Sequence, residues 1–214
     1  AIDFGLVVSK SMGPLYVAAF AMGAVMIDAP PNLADFLSRD PEVYGYGFAA
    51  SSDVLAGMIA SMLVFATAGA LASTFIAARL GMRTTLLGAA LLGAVGQGLL
   101  IPMPHLVAAF WVSGILTGFG LGILVGALPA LVSHAAPAGR TGIANGIYSA
   151  LLAMGGAVGG AVFKQVLVAF RDEQRMTELG GYTTIWAISI ALFLLTALMM
   201  ATVELPDKRK QVHE

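Results

Sequence analysis

The segment Ser113-Gly114-Ile115-Leu116-Thr117-Gly118-Phe119-Gly120-Leu121-Gly122-Ile123-Leu124-Val125-Gly126 decides how this chain is read. It carries no charge, lies inside an apolar run from 106 to 132, and places glycine at 114, 118, 122 and 126. A membrane-spanning helix needs roughly 17–25 mostly apolar residues, and helices in lipid associate through small residues that let backbones approach. Glycine at every fourth residue puts these small positions on one helical face. The segment therefore reads as a transmembrane helix with one closely packed side.

Five more runs of the same kind flank it, at 12–37, 53–78, 84–103, 142–169 and 182–203. They are continuously apolar rather than alternating, so helices and not barrel strands are expected. Composition agrees. The 214 residues are 58% hydrophobic and only 11% charged, with a mean hydropathy of +0.88; ordinary globular domains carry roughly 25% charged residues. Glycine is enriched, at 26 residues. The expected fold class is an all-α membrane protein of six transmembrane helices. Its domains are a lead-in at 1–11, a bundle at 12–203 and a basic tail at 204–214. No cysteine is present, which excludes disulfides and thiolate chemistry. A formal net charge of −1 gives no reason to expect nucleic acid as a partner.

Lys10, Arg79, Arg83, Arg140, Lys208, Arg209 and Lys210 fall on one side of the six runs, and Arg39, Arg171 and Arg175 on the other. The positive-inside rule then places both termini in the cytoplasm, with the protein in the plasma or inner membrane. No signal peptide is visible. The chain starts with Ala rather than Met, as a processed or excised chain would.

Small-residue spacing sorts the helices. The ladder of Gly114, Gly118, Gly122 and Gly126, and the pairs Gly142/Gly146, Gly155/Gly159 and Gly156/Gly160, predict that the fourth and fifth spans pack tightly. The sixth carries bulky Trp186, Phe193, Leu194, Leu198, Met199 and Met200 and is expected at the periphery, facing lipid.

Ionisable groups within a span mark functional candidates. Asp28 lies in the first span just before Ala29-Pro30-Pro31, where the helix is expected to break into two pieces. Its carboxylate reads either as a proton carrier or as a cap on freed backbone N–H groups. Asn32 and Asp35 follow the break, Asp35 near the outer interface. Asp53, after Ser51-Ser52, reads as the cap of the second span. Lys164 and Gln165 lie late in the fifth span: Lys164 either snorkels outwards or pairs with Asp28 or Asp35. Asn145, Tyr148, Leu152, Gly155, Gly156 and Gly159 form one stripe, a packing seam or a cavity wall. Gln97 is expected to hydrogen-bond a neighbouring helix, and Trp111, Met58 and Met62 to line core, lipid or a greasy pocket. Nucleophile-elbow, zincin and phosphate-loop motifs are missing, and His105, His134 and His213 are scattered. No enzyme, metal or cofactor is expected.

The stretch from Thr74 through Ile76-Ala77-Ala78-Arg79-Leu80-Gly81-Met82-Arg83-Thr84 resembles the cytoplasmic loop motif of major facilitator superfamily transporters, G-x-x-x-D-R-x-G-R-R. Arg79, Gly81 and Arg83 match; Thr74, Ala78 and Met82 replace a Gly, the Asp and an Arg, as in the degenerate copy of C-terminal halves. Tyr44-Gly45-Tyr46-Gly47-Phe48 resembles the outer loop of bacterial drug:proton antiporters. Thr117 to Gly122, Pro137 to Gly146 with Arg140 among them, and Gly155 to Gly160 are similar to the tenth helix, the following loop and the eleventh helix of those proteins. Ile2-Asp3-Phe4-Gly5-Leu6 resembles the lead into the seventh. The resemblance implies half of a major facilitator fold, a 3+3 inverted repeat, with spans one, two, four and five at a central cavity and three and six outside. It also implies proton-coupled efflux of amphipathic or drug-like molecules by alternating access. The expected partners are the lipid bilayer, a second six-helix half (an identical or a separate chain), a small-molecule substrate and protons. A module that regulates another membrane protein without transporting, or a fragment of a longer transporter, remain the alternatives.

Overall fold

The computed structural model describes residues 9–171 and 178–203, the side chains of 27–31, 171 and 178 excepted. Most of the expected lead-in, and the tail at 204–214, lie outside the described residues. Six long helices fall on the six apolar runs: α1 (Gly13–Ser38), α3 (Ser52–Leu80), α4 (Met82–Gly98), α5 (Val107–Ala135), α6 (Thr141–Arg171) and α7 (Glu178–Thr202). A four-residue helix, α2 (Pro41–Tyr44), sits in the loop after α1. Among the described residues α3, α5, α6 and α7 are long and apolar enough to cross a membrane.

Local chemistry sets the ends. Pro14 lies in the first turn of α1, where a missing N–H costs nothing. The Asp40 carboxylate accepts from the Glu42 N–H at 2.9 Å and starts α2. α3 and α4 meet at Gly81, whose φ of +83° suits glycine and turns the chain in a single residue. Ser51, not Asp53, precedes the first turn of α3; Asp53 sits within that turn, where an acidic group suits the helix dipole. α4 ends at Gly98, five residues short of the expected 103, ahead of a loop holding Pro102 and Pro104.

The first span does not break. α1 is helical through Ala29, Pro30 and Pro31. Proline removes one N–H and crowds the preceding turn, but tertiary packing on both flanks holds this helix: its first part lies on α6, its last turns on α7 and the outer loop. In an unbroken helix, positions 28, 32 and 35 share one face.

Two close pairs organise the bundle, α3 with α5 and α1 with α6. A Cβ on Gly118 or Gly122 would run into the carbonyls of Met62 or Ala66 on α3, and one on Gly126 would crowd Ser73 and Ala70. Across the other pair, Gly155 meets the Phe20 carbonyl, Gly159 meets Ala24, and Gly23 meets Leu152, with the Gly156 amide close by. Backbone contact of this kind is what glycine permits in lipid. The ladder is not uniform: Gly114, Gly142 and Gly146 have nothing within 4 Å of a Cβ position, so they are not packing glycines. Gly160 is half-buried.

α4 and α7 close the back, packing on each other and on α5 and α1. The bulky α7 is not simply peripheral. Phe193, Trp186 and Met200 are buried, while Leu194 and Leu198 are exposed. The Phe193 ring occupies the hollow beside Gly93 of α4, so a large side chain is core wherever the facing helix offers a glycine. α6, expected inside, is the more exposed: 22% of its membrane-length window is buried, against 39% for α7 and 61% for α5. Its glycine face is packed, and its other face is open.

Candidate functional site

At the outer end of the bundle Asp35 is the centre of a polar cluster. Arg39, one turn on at the end of α1, forms an ion pair with it at 3.1 Å, and the Tyr182 hydroxyl of α7 donates to its Oδ2. The Arg39 guanidinium lies 4.9 Å over the Tyr44 ring. Burial opposes the charge on Arg39, but hydrogen bonding and attraction to Asp35 outweigh it, so its pKa rises above the ordinary arginine value. Beneath this cluster Phe36 contacts the rings of Tyr46, Phe48, Phe110, Tyr182 and Trp186, at centroid separations from 5.1 to 6.3 Å. The outer loop folds in to complete the cluster. Phe48 and Ala50 donate to the Leu37 carbonyl and Ala49 to that of Arg39, with Gly45 and Gly47 at positive φ.

The expected pathway residues divide. Asn32 lines a small cavity with Gln97, Ser113, Gly114, Thr117 and Ser189. Gln97, on α4, donates to the Thr117 hydroxyl of α5 at 3.2 Å. Those on α6 go elsewhere. The Asn145 amide donates to Ser133 of α5 at 2.8 Å, and Tyr148 is buried in the inner apolar cluster. Their stripe is a packing seam. Lys164 and Gln165 are exposed, and Asp35 is paired with Arg39 rather than Lys164. The side chain of Asp28 lies outside the described residues.

Of the loop-motif residues, Arg83 ties two helices together. Arg83 donates from Nε to the Met200 carbonyl at 2.8 Å, joining the start of α4 to the last turn of α7. Arg79 and Arg140 are exposed.

A groove of about 310 Å³ opens between α1, α3 and α5, bounded by Met26, Ile59, Leu63, Thr67, Leu121 and Val125. Its hydroxyl, that of Thr67, is turned back on the Leu63 carbonyl at 2.9 Å. Among the described residues such a wall supplies dispersion contacts and no free hydrogen-bond donor. Met62 borders both this groove and the small cavity, Met58 packs in the outer cluster, and Trp111 is exposed.

Reading the sequence missed Tyr182, Ser113 and Ser189, and took Arg39 only as an outer charge. The four-residue spacing of Asp35 and Arg39 was the available signal for the ion pair. No local pattern marks the serines.

Comparison with known proteins bears on this arrangement. The family profile described as Major Facilitator Superfamily matches residues 15–214. A sugar transport protein of Oryza sativa subsp. japonica, MST7, is 28% identical over 161 residues, covering 73% of this chain and 28% of its own length. Among solved structures, a D-xylose–proton symporter superposes with a TM-score of 0.71 at 18% identity, covering 100% of this chain and 51% of its own. The E. coli fucose:proton symporter gives 0.69 at 19% identity, covering 90% and 49%. This chain thus spans about half the length of these solved structures and a smaller share of the rice protein. All three named proteins are sugar carriers and none is an enzyme. They lend no support to the drug:proton antiporter likeness, to efflux or to a dimer. The profile covers nearly the whole chain, on a helical fold shared with symporters, and the chain belongs to the Major Facilitator Superfamily.

Proposed function

We propose that this chain is the C-terminal six-helix half of a proton-coupled secondary transporter that works by alternating access with a second six-helix half. The observation that carries the reading is the pattern of helix contacts. Exchanging α1 with α5, α3 with α6 and α4 with α7 turns each major contact into another. The α3–α5 pair becomes α6–α1, the α4–α5 contact becomes α7–α1, and α4–α7 returns to itself. That is the symmetry expected of two three-helix repeats, and repeat interfaces are where secondary transporters place their sites.

The open faces of α3 and α6 support the need for a second half. Only 17% and 22% of their membrane-length windows are buried, and Leu63, Leu71 and Phe75 on α3, with Met154, Val158 and Val162 on α6, are exposed. The basic residues at the ends of the helices support cytoplasmic termini in a plasma or inner membrane. Asp28 is the proton carrier in this reading, since Asp35 on the same helical face is engaged by Arg39 and Tyr182. Lys164 and Gln165 lie toward the second half.

For the substrate, the groove between α1, α3 and α5 favours a molecule with an apolar body. A sugar, the cargo named for the relatives, would find no free donor among the described residues of that wall. The test is flux in proteoliposomes that contain this chain with its second half, driven by an imposed pH gradient. An amphipathic aromatic cation and D-xylose are offered in turn. The amphipath is expected to move with the gradient, and Asp28→Asn to abolish that dependence while gradient-free exchange persists. Xylose flux without amphipath flux sinks the substrate reading. Undiminished pH dependence in Asp28→Asn retires that residue, and flux of neither compound favours a module that does not transport.

A further inference from the structure

Two apolar clusters fill the bundle. The inner one runs from Met12 to Met26 on α1 and includes Leu121, Leu124 and Phe193; the outer one is built around Phe36, Phe110, Tyr182 and Trp186. Polar residues fall between them on four helices. Asn32 lies between Met26 and Phe36 on α1, and Gln97 between Ala94 and Leu100 on α4. Ser113 and Thr117 lie between Phe110 and Leu121 on α5, and Ser189 between Trp186 and Phe193 on α7. All five line one cavity of about 20 Å³.

Three observations define what fits there. The volume matches one water molecule, which needs about 10–15 Å³ of such space and two to four polar partners. Ser113 and Ser189 are 2% and 1% exposed, and among the described residues neither hydroxyl has a hydrogen-bonding partner. The Gln97 amide nitrogen is committed to Thr117, which leaves its carbonyl oxygen available. A buried hydroxyl with no partner is costly, whereas one bonded to an enclosed water is not. No carboxylate lines the cavity among the described residues, so a divalent cation would meet no compensating charge there.

We propose that this cavity is a specific water site, in which one molecule is held by the Ser113 and Ser189 hydroxyls, with Asn32 and the Gln97 carbonyl as further partners. The water hydrogen-bonds α1 and α7 to α5 between the two apolar clusters. It gives both serine hydroxyls a partner in the layer between the two clusters. The site does not depend on which substrate the protein carries.

Synchrotron hydroxyl-radical labelling of the full protein in its detergent particle tests this, because a bound water generates radicals beside side chains that bulk solvent does not reach. Trp186 borders the cavity and Phe193 does not, and both are buried. Trp186 is expected to label well above Phe193, and Ser189→Val to lower Trp186 labelling several-fold with Phe193 unchanged. Equal labelling of the two, or labelling of Trp186 that Ser189→Val leaves alone, overturns the proposal. If that variant does not fold, the sign of a thermal shift decides. With a bridging water, Ser113→Ala and Ser189→Ala each lower the melting midpoint by a few degrees. With a dry cavity each raises it, by removing an unsatisfied hydroxyl.

Discussion

The two ends of this bundle are held by opposite means. The inner region is built from backbone contact, where Gly118, Gly122, Gly155 and Gly159 bring helices together without side chains between them. The outer region is built from large rings around Phe36, pinned by an ion pair and a phenol hydrogen bond. The inner arrangement tolerates no added atom at its glycines and loses little when a peripheral side chain shrinks. The outer one tolerates no lost ring. Close packing in lipid is gained either by removing side chains from the seam or by filling it with rigid ones.

The largest test of this contrast is Gly122→Leu. The Ala66 carbonyl occupies the space a side chain needs, so α3 and α5 must part, at a cost of about 4 kcal/mol or more. Size-exclusion recovery should collapse, whereas Gly146→Ala on α6, where nothing lies within 4 Å of a Cβ position, should leave stability within roughly 0.5 kcal/mol. Equal tolerance at the two positions would mean the ladder is not a seam. Next in size is Phe36→Ala, expected to cost roughly 3–5 kcal/mol in denaturant unfolding, because five rings lose their common neighbour. A loss below about 1 kcal/mol would show that the outer cluster closes up without it.

The smallest effect is expected of Tyr182→Phe. The ring stays and the bond to Asp35 goes, for about 1–2 kcal/mol, while Arg39 keeps the carboxylate paired. Hydrogen exchange at the start of α7 should rise with it. Unchanged exchange would leave the aromatic stacking as the tie between α1 and α7.

How far the site was legible follows from the range of each interaction. Asn32 stood out as a candidate pathway residue because a polar side chain in an apolar run is visible on one helix, and it lines the small cavity. For Asn145 and Tyr148 the stripe read as a packing seam or a cavity wall, and only the neighbours that it meets distinguish the two, since a stripe does not itself identify its neighbour. Ser113 and Ser189 lie far apart along the chain and come together only through the packing of α5 and α7. Pro30-Pro31 misled in the other direction. A local helix-breaking propensity was overridden by contacts on both sides.

Hydropathy and glycine spacing were therefore enough, by themselves, to place six helices, their order and the faces at Gly118, Gly122, Gly155 and Gly159. These are local quantities: a run is long enough and apolar enough, or a face is small enough, whatever surrounds it. Partner choice was left to tertiary structure. The Phe193 ring is core because Gly93 faces it, Gly114 touches no other helix because it faces the small cavity, and Asp35 is paired because Tyr182 and Arg39 reach it. A side chain's environment depends on which helix lies opposite, and that depends on the packing of the whole bundle.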